Sequence, residues 1–306
     1  MKVWVGLVQQ ASAFFDKEKG LEQLAHWTAE CAKNKCDLVV FPESFIPGYP
    51  RGFDFGAVVG SRNDEGRELY NQYHKQSMDL SGEDGALLED LAKEHQQYLV
   101  VGITEKEQDH GSLYCSMVYV SPEKGIMGVH RKIKPTGTER VIWAEAGAES
   151  LVSFQTEIGR LGGLICWENY MPLARMSMYE RGVQIYLAPT ADARDSWVRS
   201  LQHIALEGRC FVMGCNQYFT PDMYPEELSS QLRNEERAKC RGGSVIVSPF
   251  GEIIAGPLWD ESGLVVAEID LEDINRSKLD FDPKAHYNRP DIFKFDVPDQ
   301  PPTYEE

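Results

Sequence analysis

The sequence is short of positive charge: 31 Lys and Arg stand against 48 Asp and Glu, for a formal net charge of -17. A nucleic-acid backbone or an anionic bilayer surface would be repelled by such a chain. A simpler explanation of the negative charge is that it keeps the protein soluble. The composition therefore argues against nucleic-acid and membrane partners.

Long apolar stretches are also missing, so no segment is predicted to span a bilayer. The first ten residues, MKVWVGLVQQ, alternate like a strand and lack the apolar core and cleavage site of a signal peptide. The seven cysteines are odd in number and scattered, which favours free thiols in a reducing compartment. We predict a cytoplasmic protein.

Metal-binding patterns are weak as well. Two C-x4-C pairs occur, Cys31 with Cys36 and Cys210 with Cys215. Neither has the tight C-x2-C spacing of a zinc knuckle or a histidine close by. We expect all four to be structural residues, and no metal.

Strand-like and helical patterns alternate along the chain, with no Pro/Gly/Ser-rich or charge-biased linker between them. The strand-like runs lie at 2–10, 36–43, 98–106, 113–122, 126–133, 160–168, 183–191, 210–218, 242–249, 252–259 and 263–270. The helical patterns lie at about 17–34, 66–77, 84–97, 172–181 and 195–208. This alternation predicts an α/β protein with largely buried sheets.

One internal repeat suggests that the chain consists of two related halves. MVYVSPEKGIMGVHRK and SVIVSPFGEIIAGPLW both read as strand, Ser-Pro turn and strand. If each half supplies one sheet and a pair of helices, packing sheet on sheet gives a four-layer α-β-β-α sandwich. We predict a single domain over 1–290, followed by a Pro-rich acidic arm over 291–306.

Three predicted strand ends carry residues that could perform chemistry. Glu43 follows a strand in VVFPESFIPGYP, Lys132 lies in GVHRKIKPTGTER with Glu139 seven residues later, and Cys166 ends the run RLGGLIC. Taken alone, each residue could have no catalytic role: Glu43 could be a surface acid, Lys132 a lysine that reaches solvent, and Cys166 a buried inert thiol. Together in one cleft, a carboxylate could take the thiol proton while an ammonium stabilises the anion formed when sulfur attacks carbon.

These stretches resemble the nitrilase superfamily over essentially the whole chain, and its nitrilase branch in particular. The matching motifs are VVFPESFIPGYP, HRKIKPTGTER and GRLGGLICWENYMPLAR. Further matches are IYLAPTADARDSW, HIALEGRCFVMGCNQ, RGGSVIVSPFGEIIAG and HYNRPDIF. The resemblance implies the same four-layer sandwich and no metal or organic cofactor.

The resemblance also implies roles for the four residues. Glu43 would be the general base, Lys132 the cationic stabiliser and Cys166 the nucleophile, while Glu139 would orient the lysine or the water. The implied reaction converts a small-molecule nitrile into a carboxylic acid and ammonia through a covalent cysteine intermediate. Members of this family often assemble, so we expect a homodimer or a higher, even spiral, homo-oligomer.

The resemblance also implies the local geometry of the site. Cys166 would lie on a sharp strand-to-turn bend with its sulfur facing the pocket, the backbone N–H of Trp167 would donate to the developing anion, and the Trp167 ring would form a pocket wall. Tyr49 and Trp143 lie beside motif residues and could line the pocket or belong to the core. We expect Glu168 to bind local backbone and His130 to be structural.

Other functions remain open at this point. An amidase or carbamoyl-amide hydrolase could use the same residues, and a cyanide-hydrating enzyme would stop at the amide. A silent filament-forming scaffold is the non-enzymatic alternative, which the intact Glu43, Lys132 and Cys166 argue against. The sequence does not say whether the nitrile is aliphatic, aromatic or an arylacetonitrile, because that depends on how Tyr49, Trp143 and the 190–197 segment pack.

Overall fold

The computed structural model describes residues 1–192, 194–232 and 238–298. The strands are β1 Lys2–Gln9, β2 Leu38–Val40, β3 Tyr98–Lys106, β4 Leu113–Ser121, β5 Gly125–Arg131, β6 Ser153–Thr156, β7 Gly159–Gly163, β8 Ile185–Leu187, β9 Phe211–Gly214, β10 Tyr218–Phe219, β11 Cys240–Val247, β12 Ile253–Trp259 and β13 Gly263–Asp270. The α-helices are α1 Lys17–Lys33, α2 Asp64–Gln76, α3 Glu83–His95, α4 Pro172–Glu180, α5 Asp195–Gly208, α6 Glu226–Ser229 and α7 Glu272–Ser277. Short 3₁₀ helices span Gly137–Val141, Ala148–Ser150, Cys166–Tyr170 and Pro221–Met223. Residues 299–306 of the predicted arm lie outside the described residues.

Two halves of the chain repeat one strand order. In the first half β1, β2 and β3 are parallel neighbours, followed by antiparallel β4 and β5. In the second half β7, β8 and β9 are parallel neighbours, followed by antiparallel β11 and β12. An antiparallel strand also extends the same edge of each sheet, β13 beside β1 and β6 beside β7. The internal repeat seen in the sequence therefore corresponds to the β4–β5 hairpin and its counterpart, the β11–β12 hairpin.

The two sheets pack face to face. Side chains from one face of the first sheet, such as Val100 and Tyr119, share a buried cluster with Leu187 and Met213 of the second. Strand neighbours of Val100 point the other way, as expected when side chains alternate across a sheet. The centre of the molecule is thus a sheet-on-sheet core.

Helices cover the outer face of each sheet. Leu24 of α1 and Leu88 of α3 pack on Val101 and other outward residues of the first sheet. In the second half, α4 and α5 cover the sheet with a separate buried cluster of their own. Helix α1 begins where the Asp16 side chain accepts the amide of Lys19, a local N-cap. The predicted four-layer α-β-β-α sandwich is confirmed.

Strand ends differ most from the predictions. Predicted strands 36–43, 160–168 and 183–191 are observed only as β2, β7 and β8, because the chain leaves the sheet early at each carboxyl end. Strands β6 and β10 and helices α6 and α7 were not predicted. No helix among the described residues is long and apolar enough to cross a membrane.

Candidate active site

Strands β2 and β7 end before Glu43 and Cys166. The segments that follow these strands bring the two residues together with Lys132, which follows β5. Glu43 and Lys132 are fully buried, and Cys166 is 6% exposed. The Lys132 ammonium donates to Glu43 Oε1 at 2.7 Å and to Glu139 Oε2 at 2.8 Å. The structure therefore places all four sequence-predicted catalytic candidates in one cluster.

The Glu43 carboxylate is held on both oxygens. Oε1 accepts from Lys132, and Oε2 accepts the amide of Ala191 at 3.0 Å. Its backbone carbonyl accepts from the Gln217 side chain at 2.6 Å. Segments after β2, β5 and β8 thereby fix the orientation of this carboxylate.

Glu139 is a buried acid rather than a solvated one. It lies in the 3₁₀ helix Gly137–Val141, where its Oε2 accepts the amide of Thr136 at 2.6 Å as part of a capping box. Its Oε1 accepts from the Tyr49 hydroxyl at 2.7 Å. Both oxygens are therefore occupied, and one of them faces Lys132.

Cys166 lies past the end of β7, on a turn as the family resemblance implies, and not in the strand that the pattern over 160–168 predicts. It begins the 3₁₀ helix Cys166–Tyr170 with φ of +51°, in the left-handed region that is unfavourable for a residue with a Cβ. Its amide donates to Pro189 O at 2.9 Å. Asn169 holds the turn, because its Nδ2 donates to the carbonyls of Leu164 and Cys166 at 2.8 Å each. This bent backbone turns the thiol away from the sheet, where Thr190 Oγ1 donates to the sulfur at 3.1 Å.

Glu168 binds local backbone, as expected, and reaches further. Its Oε2 accepts the amide of Ile165 at 2.7 Å and contacts His130 Nε2 at 2.9 Å. Its Oε1 accepts the amide of Ile133 at 2.7 Å. His130 is fully buried, so the pair belongs to the support of the site rather than to the cavity.

Burial and charge set the protonation of the cluster. Burial raises the pKa of Glu43, and the ammonium of Lys132 offsets only part of that rise. Burial, with the charge of Glu43, raises the pKa of the Cys166 thiol well above its usual range. Burial disfavours the Lys132 ammonium, but the negative charges of Glu43 and Glu139 outweigh it and hold the lysine pKa well above its usual value. The resting site therefore contains a charged lysine and a neutral thiol.

A cavity of about 290 Å³ opens beside the thiol. The residues that line it are Tyr49, Arg51, Thr136, Glu139, Cys166, Trp167, Ala191, Asp192 and Arg194. Two of the three predicted pocket aromatics, Tyr49 and Trp167, are therefore at its wall. Ala193, in the predicted 190–197 pocket segment, lies outside the described residues.

Trp143, for which the sequence left a pocket role and a core role open, is a core residue. It is 2% exposed and belongs to the sheet-on-sheet core, with its ring edge-on to Tyr49 at 5.7 Å between centroids. The Lys132 ammonium lies 5.9 Å from its ring centroid. Trp143 therefore packs behind the cavity wall, against Tyr49.

Some residues of the cavity wall were not predicted individually. Ala191 and Asp192 follow β8, in the 190–197 segment that the sequence marked only as a segment, and Arg51, which follows the Glu43 motif, was not predicted. They lie within or next to the stretches IYLAPTADARDSW and VVFPESFIPGYP. Motif membership could have marked these segments, but the contacts themselves join loops from opposite halves of the chain. Among residues 1–192, 194–232 and 238–298, no group of three or more His, Cys, Asp or Glu side chains is placed to hold a metal ion.

Comparison with known proteins connects this geometry to a family. The carbon-nitrogen hydrolase family model matches residues 4–278. Nitrilase 1 of Arabidopsis thaliana is 41% identical over 306 residues, covering 98% of this chain and 88% of that protein. A bifunctional nitrilase/nitrile hydratase of Lupinus angustifolius is 41% identical over 301 residues, covering 96% of this chain and 86% of that protein. A carbon-nitrogen hydrolase structure from Helicobacter pylori has the same fold, with a TM-score of 0.76 at 22% identity, covering 95% and 97% of the two chains.

Proposed function

Because this chain belongs to the carbon-nitrogen hydrolase family, we propose that its buried cluster hydrolyses an organic nitrile to the carboxylic acid and ammonia. The protein is a hydrolase of the nitrilase type. The observation that carries the proposed chemistry is the Lys132 ammonium, buried between Glu43 and Glu139 on the cavity that holds the Cys166 thiol.

In the first step Cys166 attacks the nitrile carbon. The S–C bond forms while one C–N π bond breaks, and the thiol proton passes through Glu43 to the nitrile nitrogen, which gives a thioimidate. A carboxylate whose pKa is raised by burial accepts such a proton more readily. Because the resting thiol is neutral, we propose that proton transfer accompanies attack rather than preceding it.

In the later steps water adds to the thioimidate carbon and the C–N bond breaks, so that ammonia leaves and a thioester remains. A second water then breaks the S–C bond, releases the carboxylic acid and returns the thiol. Lys132 and the backbone amide of Trp167 would stabilise the negative charge at each tetrahedral stage. Glu139 would hold the ammonium in place through its 2.8 Å contact.

A second outcome is favoured by one of the relatives. The Lupinus angustifolius relative is named a bifunctional nitrilase/nitrile hydratase, so an amide product is a candidate for this chain as well. Amide forms when the tetrahedral stage after the thioimidate loses sulfur instead of ammonia. The acid-to-amide ratio therefore reports which bond of that intermediate breaks first.

The cellular setting is a proposal too. All seven cysteines are free and buried, which suits the cytoplasm and its reducing conditions. We also propose a homo-oligomer of at least two chains, as the family resemblance implies. Light scattering of the purified protein would measure the assembly.

The test is turnover of a nitrile panel beside the matching amides. Ammonia release and the acid and amide products are measured for aliphatic, aromatic and arylacetonitrile substrates. We expect acid and ammonia from nitriles, with Cys166→Ala as the inactive control. Faster hydrolysis of the amides than of every matching nitrile would instead identify an amidase.

A further inference from the structure

Arg51 is a cation at the junction of two cavities. It lines the cavity beside the thiol and also a neighbouring cavity of about 350 Å³, together with Tyr49 and Glu139. The neighbouring cavity has apolar walls that include Phe53 and Ile142. A substrate whose nitrile reaches Cys166 would pass the Arg51 side chain.

The Arg51 guanidinium uses only some of its hydrogen-bond donors. Its Nη2 donates to the carbonyl of Ala191, and the guanidinium lies 5.4 Å from the ring centroid of Tyr49. Its Nε is buried without a hydrogen-bond partner. Within the described part of the chain, Arg51 forms no ion pair. Guanidinium stays charged at all relevant pH values, so its burial is unfavourable until an acceptor arrives.

The carboxylates around this cavity are already occupied. Glu139 accepts from Tyr49, Thr136 and Lys132. Asp192 accepts from the Trp167 indole at 2.9 Å and pairs with Arg194. Arg51 is therefore the cation of this cavity that has no carboxylate partner among the described residues.

Arg194 provides a contrast in the same cavity. Its guanidinium pairs with Asp192, lies 4.6 Å from the Trp167 ring centroid, and its side chain is 51% exposed. Because Arg194 has a counter-ion and contacts solvent, a bound anion would stabilise it little. Of the two arginines in the cavity, Arg194 is therefore paired with a carboxylate, and Arg51 has no such partner among the described residues.

We propose that Arg51 binds a carboxylate of the substrate, so that the preferred nitriles carry an acid group. A planar guanidinium fork matches a carboxylate, and a substrate anion in the cavity would give this cation the counter-ion that it lacks among the described residues. The chain as a whole carries a charge of -17, so recognition of an anion depends on this local cation. The inference rests on the proposed nitrile hydrolysis, whose substrate class it names.

The test compares two nitriles of matched shape. β-Cyanopropionate ends in a carboxylate, and isocapronitrile ends in an isopropyl group of similar form. In Arg51→Gln we expect kcat/KM for β-cyanopropionate to fall by about 10- to 100-fold relative to isocapronitrile, mainly through KM. Arg51→Lys keeps the charge without the fork and should fall between the wild type and Arg51→Gln.

Arg194→Gln is the matched control: it removes an equal charge from the same cavity, but one that Asp192 already pairs with, so it should shift the ratio between the two nitriles less than Arg51→Gln does. An equal loss for both nitriles in Arg51→Gln would overturn the proposal and reduce Arg51 to a support for Ala191. A shift of the ratio in Arg194→Gln as large as in Arg51→Gln would also overturn it, because general cavity charge would then explain the preference.

Binding separates this inference from the proposed function. Calorimetry on Cys166→Ala should show tighter binding of β-cyanopropionate than of isocapronitrile, and Arg51→Gln in that background should remove the difference. If the wild type hydrolyses no nitrile, the proposed function fails, but the binding preference still supports Arg51 as a carboxylate site. Equal binding of the two compounds to Cys166→Ala would overturn the Arg51 proposal while leaving nitrile hydrolysis intact.

Discussion

The carboxylate of Glu168 accepts the backbone amide of Ile133 at 2.7 Å. Glu168 follows the nucleophile candidate by two residues, and Ile133 follows Lys132 directly. One side chain therefore joins the turn that carries the thiol to the strand end that carries the ammonium. Its second oxygen accepts the amide of Ile165 and contacts His130. The spacing between Cys166 and Lys132 thus depends on a residue that does not reach the cavity.

We predict that Glu168→Gln lowers both stability and turnover. In either orientation the glutamine NH₂ group faces a backbone N–H, that of Ile133 or that of Ile165, so two donors face each other without an acceptor. Loss of one partner in a buried charged network costs about 3–5 kcal/mol. Thermal unfolding and kcat measure the effect, with the exposed Glu94→Gln as control. Unchanged melting and turnover would show that the link to Ile133 is not needed.

We predict that His130 makes stability depend on pH. Its two ring nitrogens face acceptors, Ser150 O at 2.7 Å and Glu168 Oε2 at 2.9 Å, so both can donate only in the protonated ring. Burial lowers the pKa of His130, but the charge and hydrogen bond of Glu168 outweigh burial and the opposing charge of Lys132, and the net pKa is raised.

A raised pKa means that this stabilisation is fully present below the unfolded pKa of about 6.5 and is lost as pH rises through the folded value. The wild type should therefore lose more unfolding free energy than His130→Gln between neutral and alkaline pH. Denaturant titrations at a series of pH values measure the difference, and other titrating groups cancel because both proteins carry them. Parallel curves would contradict the prediction.

The fold could be predicted because strand and helix patterns alternate and because one hairpin, 117–132, is echoed at 244–259. The cluster of Glu43, Lys132 and Cys166 could be predicted as well, since each lies at or near the end of a strand-like run and belongs to a recognisable motif. These are local signals, carried by residues next to one another in sequence.

The missed features depend on contacts between distant segments. The left-handed backbone of Cys166 is held by Pro189 and Asn169, and no composition rule predicts it. The carbonyl of Ala191 meets Arg51, which is 140 residues away in sequence. Trp143 lies next to the lysine motif, yet its ring turns into the core. The position of a residue next to a motif therefore predicts that it lies close to the site, but packing sets the direction of its side chain.

We predict that Lys132 cannot be replaced by arginine. The side chain is fully buried and its Nζ sits between two carboxylates at 2.7 and 2.8 Å, so a wider guanidinium would displace one of them. Lys132→Arg and Lys132→Ala should each lower kcat by at least about 100-fold. The exposed Lys93→Ala is the control. Recovery of most activity by the arginine would mean that only the charge, and not its position, matters.

We predict that Cys166→Ala folds normally and does not turn over nitriles, since the thiol adds little packing. Iodoacetamide should modify Cys166 before the other thiols, because it lines the cavity whereas Cys115 is fully buried. The pKa of Cys166 is raised, so labelling should quicken as pH increases. Peptide mass spectrometry gives the order of labelling. Even labelling of all seven cysteines would contradict the predicted access.

Glu139 gives the sharpest separation between a chemical and a structural role. In Glu139→Gln the amide oxygen can still accept from Lys132 and Thr136, while the NH₂ group can donate to the Tyr49 hydroxyl. Shape is kept and the negative charge is lost. The charge of Glu139 also contributes to the raised pKa of Glu43, so its removal makes Glu43 a weaker base.

We predict that this variant traps a covalent adduct on Cys166. Attack on the nitrile needs one proton transfer, whereas release needs two water additions that each pass a proton through the weakened base and a less firmly held ammonium. The later steps should therefore slow more than the first. Intact mass after incubation with substrate detects the thioimidate or thioester. Tyr49→Phe is the matched control, because it removes one hydrogen bond to Glu139 and keeps the charge, and it should not accumulate adduct. Normal turnover without adduct in Glu139→Gln would leave Glu139 as a support for the 3₁₀ helix and reduce the reacting cluster to Glu43, Lys132 and Cys166.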